Sequence, residues 1–363
     1  MKKLIFTTMF LTSLSASAGT LIECKNSTTG VTTYTLDTCN AGSVKAVPVA
    51  PLPVVDTSLP TDKIFASNSF WYTPIPENAP LATNSALLDA EFLRQEKAYY
   101  GNVEVNTSRY AAPVYTVGAD VKPVKVGFNN CQHKPSADPA FMSMMSAVPI
   151  PSYAQESKGT DGEMAIYQPS TNSYWELWQA KKDASGNWLA CWGGKISNIS
   201  TNHGAFNSYY GTTATSLPFI GGQITAEELQ RGEIKHAIGI AMVDIANWNV
   251  VSWPANRSDG WNPKNLPNRI AEGQRFRLDP TIDVNSLHMT KAGKTIAKAA
   301  QKYGFVVWDK AGSISIRAQN VLSYTALGKP NPYPALYEAK PTYAVFNGFP
   351  WNKLQFMPMN YGK

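Results

Sequence analysis

Charge is scarce in this chain. Asp, Glu, Lys and Arg make up 16% of its 363 residues, against a usual quarter, and the formal net charge is only +6. With no clustered basic face, that surplus excludes an electrostatics-driven nucleic-acid binder. Histidine and cysteine number four each and are dispersed. No C-x-x-C or H-E-x-x-H spacing occurs, so no metal is expected. G-x-S-x-G, the P-loop and the dinucleotide glycine fingerprint are also missing, which removes the usual serine-nucleophile and nucleotide signatures, and no cofactor is expected. No apolar run approaches the roughly 20 residues that a membrane-spanning helix needs.

What the chain has in quantity is aromatic and turn-forming residues: 10 Trp, 17 Tyr, 14 Phe and 25 Pro. Such a composition excludes disorder for most of its length and favours a turn-rich β protein. At its start, Met1-Lys2-Lys3 is a basic patch, Leu4 to Leu14 an apolar stretch, and Ala16-Ser17-Ala18 a small-residue cleavage pattern. Residues 1–18 thus read as a signal peptide, and export to the bacterial periplasm or the outside is expected. Removing Lys2 and Lys3 with the leader leaves a net charge of +4. Cys24, Cys39, Cys131 and Cys191 form an even set in an exported chain. Three connectivities are open, with Cys24–Cys39 and Cys131–Cys191 favoured.

Residues 19–44 read as a small hairpin, too short to stand without a disulfide. Pro48, Pro51 and Pro53 mark 45–63 as a semi-rigid extended linker. From 64 to 326 many short alternating segments separated by turn signals predict a mainly β domain. Its expected form is a two-sheet antiparallel sandwich or jelly roll with a few short helices. Helices are expected over Ala86–Ala98 (stripe Leu87, Leu88, Phe92) and from Thr225, where Glu228 completes a capping box and Gly232 ends it. A third spans Thr290–Tyr303. The Pro- and aromatic-rich tail, 327–363, is expected to wrap over sheet edges.

Chemistry concentrates in residues 159–180. Pro169-Ser170-Thr171-Asn172 is a turn cluster, so its flanks should pair with Gln168 opposite Ser173. Alternation then puts Glu163, Ala165, Tyr167, Tyr174, Glu176 and Trp178 on one face, with Asp161 extending it. Met164, Ile166, Trp175 and Leu177 take the other face, a core face. Glu163 would lie opposite Trp178 and diagonal to Glu176, with Cβ atoms about 7–8 Å apart. Carboxyl pairs at roughly 5–9.5 Å are what glycosidic cleavage uses, one as acid and one as nucleophile or base. Tyr174 and Trp178 would offer rings to a sugar face. The plain alternative is the solvated outer face of an antiparallel sheet.

His236, on an apolar alternating strand, is either a satisfied core histidine or a proton-transfer group. Arg275 and Arg277 alternate with Phe276 and Leu278, and two guanidinium groups on one strand face could clamp an anionic substituent. Pairing with Asp279 or Asp283 is the plainer reading.

Two resemblances follow from these motifs. Cys24, Gly30, Tyr34, Asp37 and Cys39 resemble a small two-cysteine module of no assigned chemistry in exported proteobacterial proteins, except that its usual Pro before the last Cys is Thr38 here. The block from Phe70 to about Val321 resembles a broad group of secreted bacterial β-sandwich proteins of no assigned activity. It does so through Gly159–Gly162, Tyr174–Ala180, Gly221–Leu229, His236-Ala237, Trp253-Pro254-Ala255 and Arg275–Asp279. The resemblance implies a secreted jelly-roll-like fold. Several members of that group carry His where this chain has Glu163, which makes Glu176 the stronger catalytic candidate.

The expectation is therefore a secreted glycan-active protein acting on a polysaccharide or cell-envelope glycan, and a glycoside hydrolase if it is an enzyme. Glu176 and Glu163 would be the catalytic pair. A non-catalytic glycan-binding or adhesive module is the alternative. The third reading is a polysaccharide lyase, with His236 or Tyr174 as base and Arg275 on a uronate.

Overall fold

The computed structural model describes residues 63–363 and, nearer the start, the backbone of 21–26, 32–36 and 43–45. Two compact units divide at Val54 and Val55. In the first, β1 (Leu21–Asn26) pairs antiparallel with β2 (Thr32–Leu36), as the hairpin reading expects. A third strand, β3 (Ser43–Lys45), joins the free edge of β1, so the expected hairpin is a three-stranded sheet. The expected leader, Cys39 with its pairing to Cys24, and residues 46–62 of the expected linker lie outside the described residues.

The second unit holds thirteen strands in three mixed sheets. Four strands form one sheet in the order β11 (Trp192–Ser197), β8 (Ser173–Trp178), β7 (Met164–Gln168), β5 (Val114–Thr116). Six form another: β16 (Leu354–Phe356), β13 (Arg275–Leu278), β14 (Phe305–Lys310), β12 (Ile238–Met242), β15 (Ser315–Arg317), β4 (Glu104–Asn106). The smallest contains β6 (Gly127–Phe128), β10 (Trp188–Ala190) and β9 (Lys181–Lys182). The expected antiparallel sandwich needs correction. Each sheet contains parallel neighbours, β5 with β7, β12 with β14, β15 with β4 and β6 with β10. Parallel pairs need crossovers, and local alternation carries no information on strand direction.

Helices occur at α1 (Ser85–Ala98), α2 (Pro139–Met144), α3 (Phe219–Gly222), α4 (Ala226–Arg231) and α5 (Lys291–Lys302). The capping box at Thr225 and Glu228 and the left-handed stop at Gly232 (φ +80°) form as predicted. Along α1 the expected stripe is partly wrong, because Leu88 and Phe92 are buried but Leu87 is exposed.

Three apolar clusters order the layers. One packs α1, α4 and α5 on the six-stranded sheet through Phe92, Ile296, Phe276 and Val307. The second joins Ala165, Tyr167 and Tyr174 of the four-stranded sheet to Ala241, Val306 and Trp308 of the six-stranded one. The third packs Met164, Ile166, Trp175 and Leu177 against Phe141, Met145 and Trp188. The tail does more than wrap: Tyr337, Phe349, Trp351 and Phe356 enter the first cluster and β16 completes a sheet edge. Among the described residues no helix is long and apolar enough to cross a membrane.

Candidate functional site

The hairpin that carries the candidate carboxylates forms in the predicted register. Gln168 lies opposite Ser173, Tyr167 opposite Tyr174 and Ala165 opposite Glu176. Register breaks just before Met164. Gln179 takes a left-handed backbone (φ +47°), and Ala180 N–H donates to Gly162 O, one residue out of step. The paired ladder ends at Met164 opposite Leu177, so Glu163 and Trp178 lie just beyond it. Its N–H donates to Ser157 Oγ, and its carbonyl accepts from Ser157 N–H. Nor is this face a solvated outer face: Ala165, Tyr167 and Tyr174 are buried between two sheets.

Glu176 is completely buried, and its oxygens are satisfied. Tyr174 Oη (2.7 Å) and Phe219 N–H (2.6 Å) donate to Oε1; Thr212 N–H (3.2 Å) and Oγ1 (2.7 Å) donate to Oε2. Burial raises its pKa against those bonds. Gly211 makes the segment fit: its backbone is left-handed (φ +94°), and a Cβ there would meet the Phe206 ring at 2.4 Å. Glu176 and Tyr174 bind the segment around 212–219 to β8 and are absent from the lining of the large cavity beside it.

Glu163 has a different setting. Both its oxygens accept from Arg317 Nη1, at 2.9 and 3.0 Å, while Arg317 Nη2 donates to Asp309 Oδ2 at 3.0 Å. Arg317 also lies over the Phe219 and Trp308 rings. Asp309 takes two further bonds at Oδ1, from Ala214 N–H and Lys310 N–H. One guanidinium thus holds two carboxylates side by side. Burial pushes Glu163 up to about 8, with Arg317 opposing and Asp161 and Asp309 adding to the rise. Burial likewise pushes Asp309 up to about 6, with Arg317 opposing and Asp259 adding.

This trio lines a cavity of about 1330 Å³, larger than a typical small-molecule pocket. Asp161, Trp178 and Asp259 share the lining. Aromatic rings are concentrated there: Tyr100, Tyr110, Tyr209 and Tyr343, every tyrosine among the exposed large hydrophobic side chains of the described residues, line this one cavity. One wall is the segment 132–139, anchored by the Cys131–Cys191 disulfide next to Trp192. Lys134 lies over the Trp192 ring at 4.6 Å, and Asp138 accepts from Tyr209 and Tyr210. The ring stack continues from Trp192 to Tyr209 and, behind, to Phe141.

The remaining candidates lie elsewhere. His236 is buried and pairs with the capping Glu228 (3.2 Å), so the satisfied core histidine is what forms. Arg275 donates to the carbonyls of Tyr303 and Thr73, and Arg277 to those of Pro76 and Glu77 and to Gln355. They strap the segment 73–77 onto β13, and neither lines the cavity. The expected anion clamp and the expected pairing with Asp279 or Asp283 both give way to these carbonyls. So Glu163, Asp161 and Trp178 meet in the cavity, while Glu176, Tyr174, His236, Arg275 and Arg277 do not.

Arg317, Asp309 and Asp259 were not anticipated. Residues 313–317, Ser-Ile-Ser-Ile-Arg, alternate polar and apolar, which places Ser315 and Arg317 on one strand face; that signal was available. Its long-range partner was not. Comparison of the chain with protein-family models, curated proteins and solved structures finds no match.

Proposed function

We propose that the cavity is a glycan-binding cleft and that the protein is a glycoside hydrolase acting through Glu163 and Asp309. The observation that supports this reading is the pairing of these two carboxyls on Arg317, inside a large cleft rimmed by exposed tyrosines. Glycosidic cleavage uses two carboxyls held roughly 5–9.5 Å apart, and one guanidinium bridging Glu163 and Asp309 keeps them as near neighbours. At neutral pH Glu163, up to about 8, holds a proton to give the leaving oxygen, while Asp309, up to about 6, is ionised and takes the role of nucleophile or of base toward water. Ring faces along the rim suit the apolar faces of sugars. The Cys131–Cys191 disulfide fits an oxidising compartment and so an exported protein.

A non-catalytic glycan-binding module is the second reading. It is favoured by one observation: Glu163 is only 2% exposed and both its oxygens are held by Arg317. The lyase reading loses its residues, because His236, Tyr174 and Arg275 lie off the cleft.

The test is a digestion panel of cellulose, chitin, xylan, pectin, alginate and peptidoglycan, read by reducing ends and by ultraviolet absorbance of unsaturated ends. New reducing ends without absorbance, lost in Glu163→Gln and Asp309→Asn, support the hydrolase. The rate should follow a bell, falling below about pH 6 as Asp309 protonates and above about pH 8 as Glu163 ionises. Binding without cleavage supports the second reading. Silence in both assays removes the glycan assignment.

A further inference from the structure

One buried carboxyl takes no part in the arrangement above. Glu272, fully buried, bridges Val251 through its backbone. Its Oε2 accepts the Asp259 N–H at 3.1 Å, and its Oε1 is buried with no hydrogen-bond partner. The groups facing it are Asp259 and Asp309, which repel a charge there, the Ser258 hydroxyl, and the Arg257 guanidinium. Arg257 is committed elsewhere, donating to Thr213 O, Gly211 O and Ser216 Oγ. Lys310 acts on Asp259.

An ionised Glu272 would therefore be a buried charge with one bare oxygen, an expensive arrangement. Among the described residues no group of three His, Cys, Asp or Glu side chains could hold a metal ion that would neutralise it. A proton does so directly and turns the bare oxygen into a donor. Asp259 is the acceptor at hand. Its backbone N–H already donates to Glu272 Oε2, its charge acts on Glu272, and it lines the cleft.

We propose that Asp259 and Glu272 form a second carboxyl pair on the cleft wall, sharing one proton, in which neutral Glu272 orients ionised Asp259 as an acceptor for hydroxyl groups of a bound sugar. A carboxylate offers two oxygens, which match the two O–H donors of a vicinal diol. The ligand class rests on the glycan reading above; the pair itself does not. Burial and the Asp259 charge push Glu272 up to about 8, in keeping with the neutral form. Glu272 is thus a positioning residue, acting through Asp259.

The pair is tested on the full chain by urea denaturation of wild type, Glu272→Gln and Asp259→Asn at steps from about pH 5 to about pH 9. A carboxyl raised in the folded state favours folding at low pH, and that advantage is lost as pH climbs toward about 8. Glu272→Gln should remove close to one proton's share of this slope. Asp259→Asn should move that share to lower pH, because the charge that holds Glu272 up is gone. An unchanged slope in the first variant, or an unshifted one in the second, overturns the pair. As a check independent of variant stability, the carbonyl infrared band of a protonated carboxyl should be present in wild type at about pH 7 and weaker in Glu272→Gln.

The ligand role is read on whichever panel polysaccharide wild type cleaves or retains. Glu272→Gln keeps an N–H donor and should hold KM, or Kd if there is no turnover, within about twofold. Glu272→Leu should raise it about tenfold with kcat less affected, the worth of one hydrogen bond. Equal values for both variants overturn the ligand role. Silence of wild type across the panel removes the glycan class, while the titration still decides the pair.

Discussion

Glu163 and Glu176 start from nearly the same place, two carboxylates on one face of one hairpin, both buried. Four donors from three residues close around Glu176 and leave it nothing to offer a ligand. Glu163, where the ladder slips by a residue, faces a single arginine at the back of a cleft. Burial raises both pKa values, so a perturbed carboxyl is not in itself a functional one. What separates the two is how many of their bonds are already made.

That contrast can be broken in order of expected effect. Glu176→Leu strands the Tyr174 hydroxyl, the Thr212 N–H and hydroxyl and the Phe219 N–H, and should cost about 3–5 kcal/mol in urea denaturation. Glu163→Gln should cost less than about 2 kcal/mol in the same assay. Equal losses would make the two carboxylates structural equivalents.

Arg317→Met should cost a similar 3–5 kcal/mol at about pH 8, where Asp309 loses its cation and must stay a buried charge or, like Glu163, take up a proton. The loss should shrink on going to about pH 5, because both carboxyls, already up at about 8 and about 6, take up protons. A pH-independent loss would mean that Arg317 matters through packing on Phe219 and Trp308 rather than through charge.

Cys131→Ser with Cys191→Ser should lower stability by about 2–4 kcal/mol. Its sharper signature is local: subtilisin, a protease of broad specificity, should cut within 132–138 in the variant well before wild type, with the 164–178 hairpin intact. Cleavage at the same rate in both would show that Lys134, Asp138 and their ring contacts hold the wall without the bridge.

The smallest effect belongs to His236. Burial works against its charged form, but Glu228 outweighs it and raises the pKa above the ordinary 6.5. The stabilisation is therefore complete below about pH 6.5 and fades as pH rises through the raised value. His236→Gln should cost about 1 kcal/mol in acid and close to nothing in alkali, read by thermal melts.

Much of the local structure was legible. The 164–178 register follows from alternation and a four-residue turn cluster, and the ends of α4 and α5 from capping and glycine signals. The Cys131–Cys191 pairing forms as favoured. Strand direction was not legible, since β5 and β7 alternate in the same way whether parallel or antiparallel. The arginines misled for a related reason. Arg275 and Arg277 give part of their donors to backbone carbonyls about 200 residues upstream, a choice only the tertiary fold makes. Arg317 carries no local functional signal, because what matters is its meeting with Glu163, 154 residues away in the chain.

One consequence of the layering concerns time rather than contact. Strand β7 is flanked by β5 and β8, and its side chains enter apolar clusters on both sides, so no face of it meets water. Its amides should be among the last in the chain to exchange with deuterium. Residues 132–136, exposed and lacking strand partners, should exchange among the first. The floor that sets the carboxyl geometry would then persist through many openings of the wall beside it, and a ligand could enter by displacing the wall while the floor stays in place.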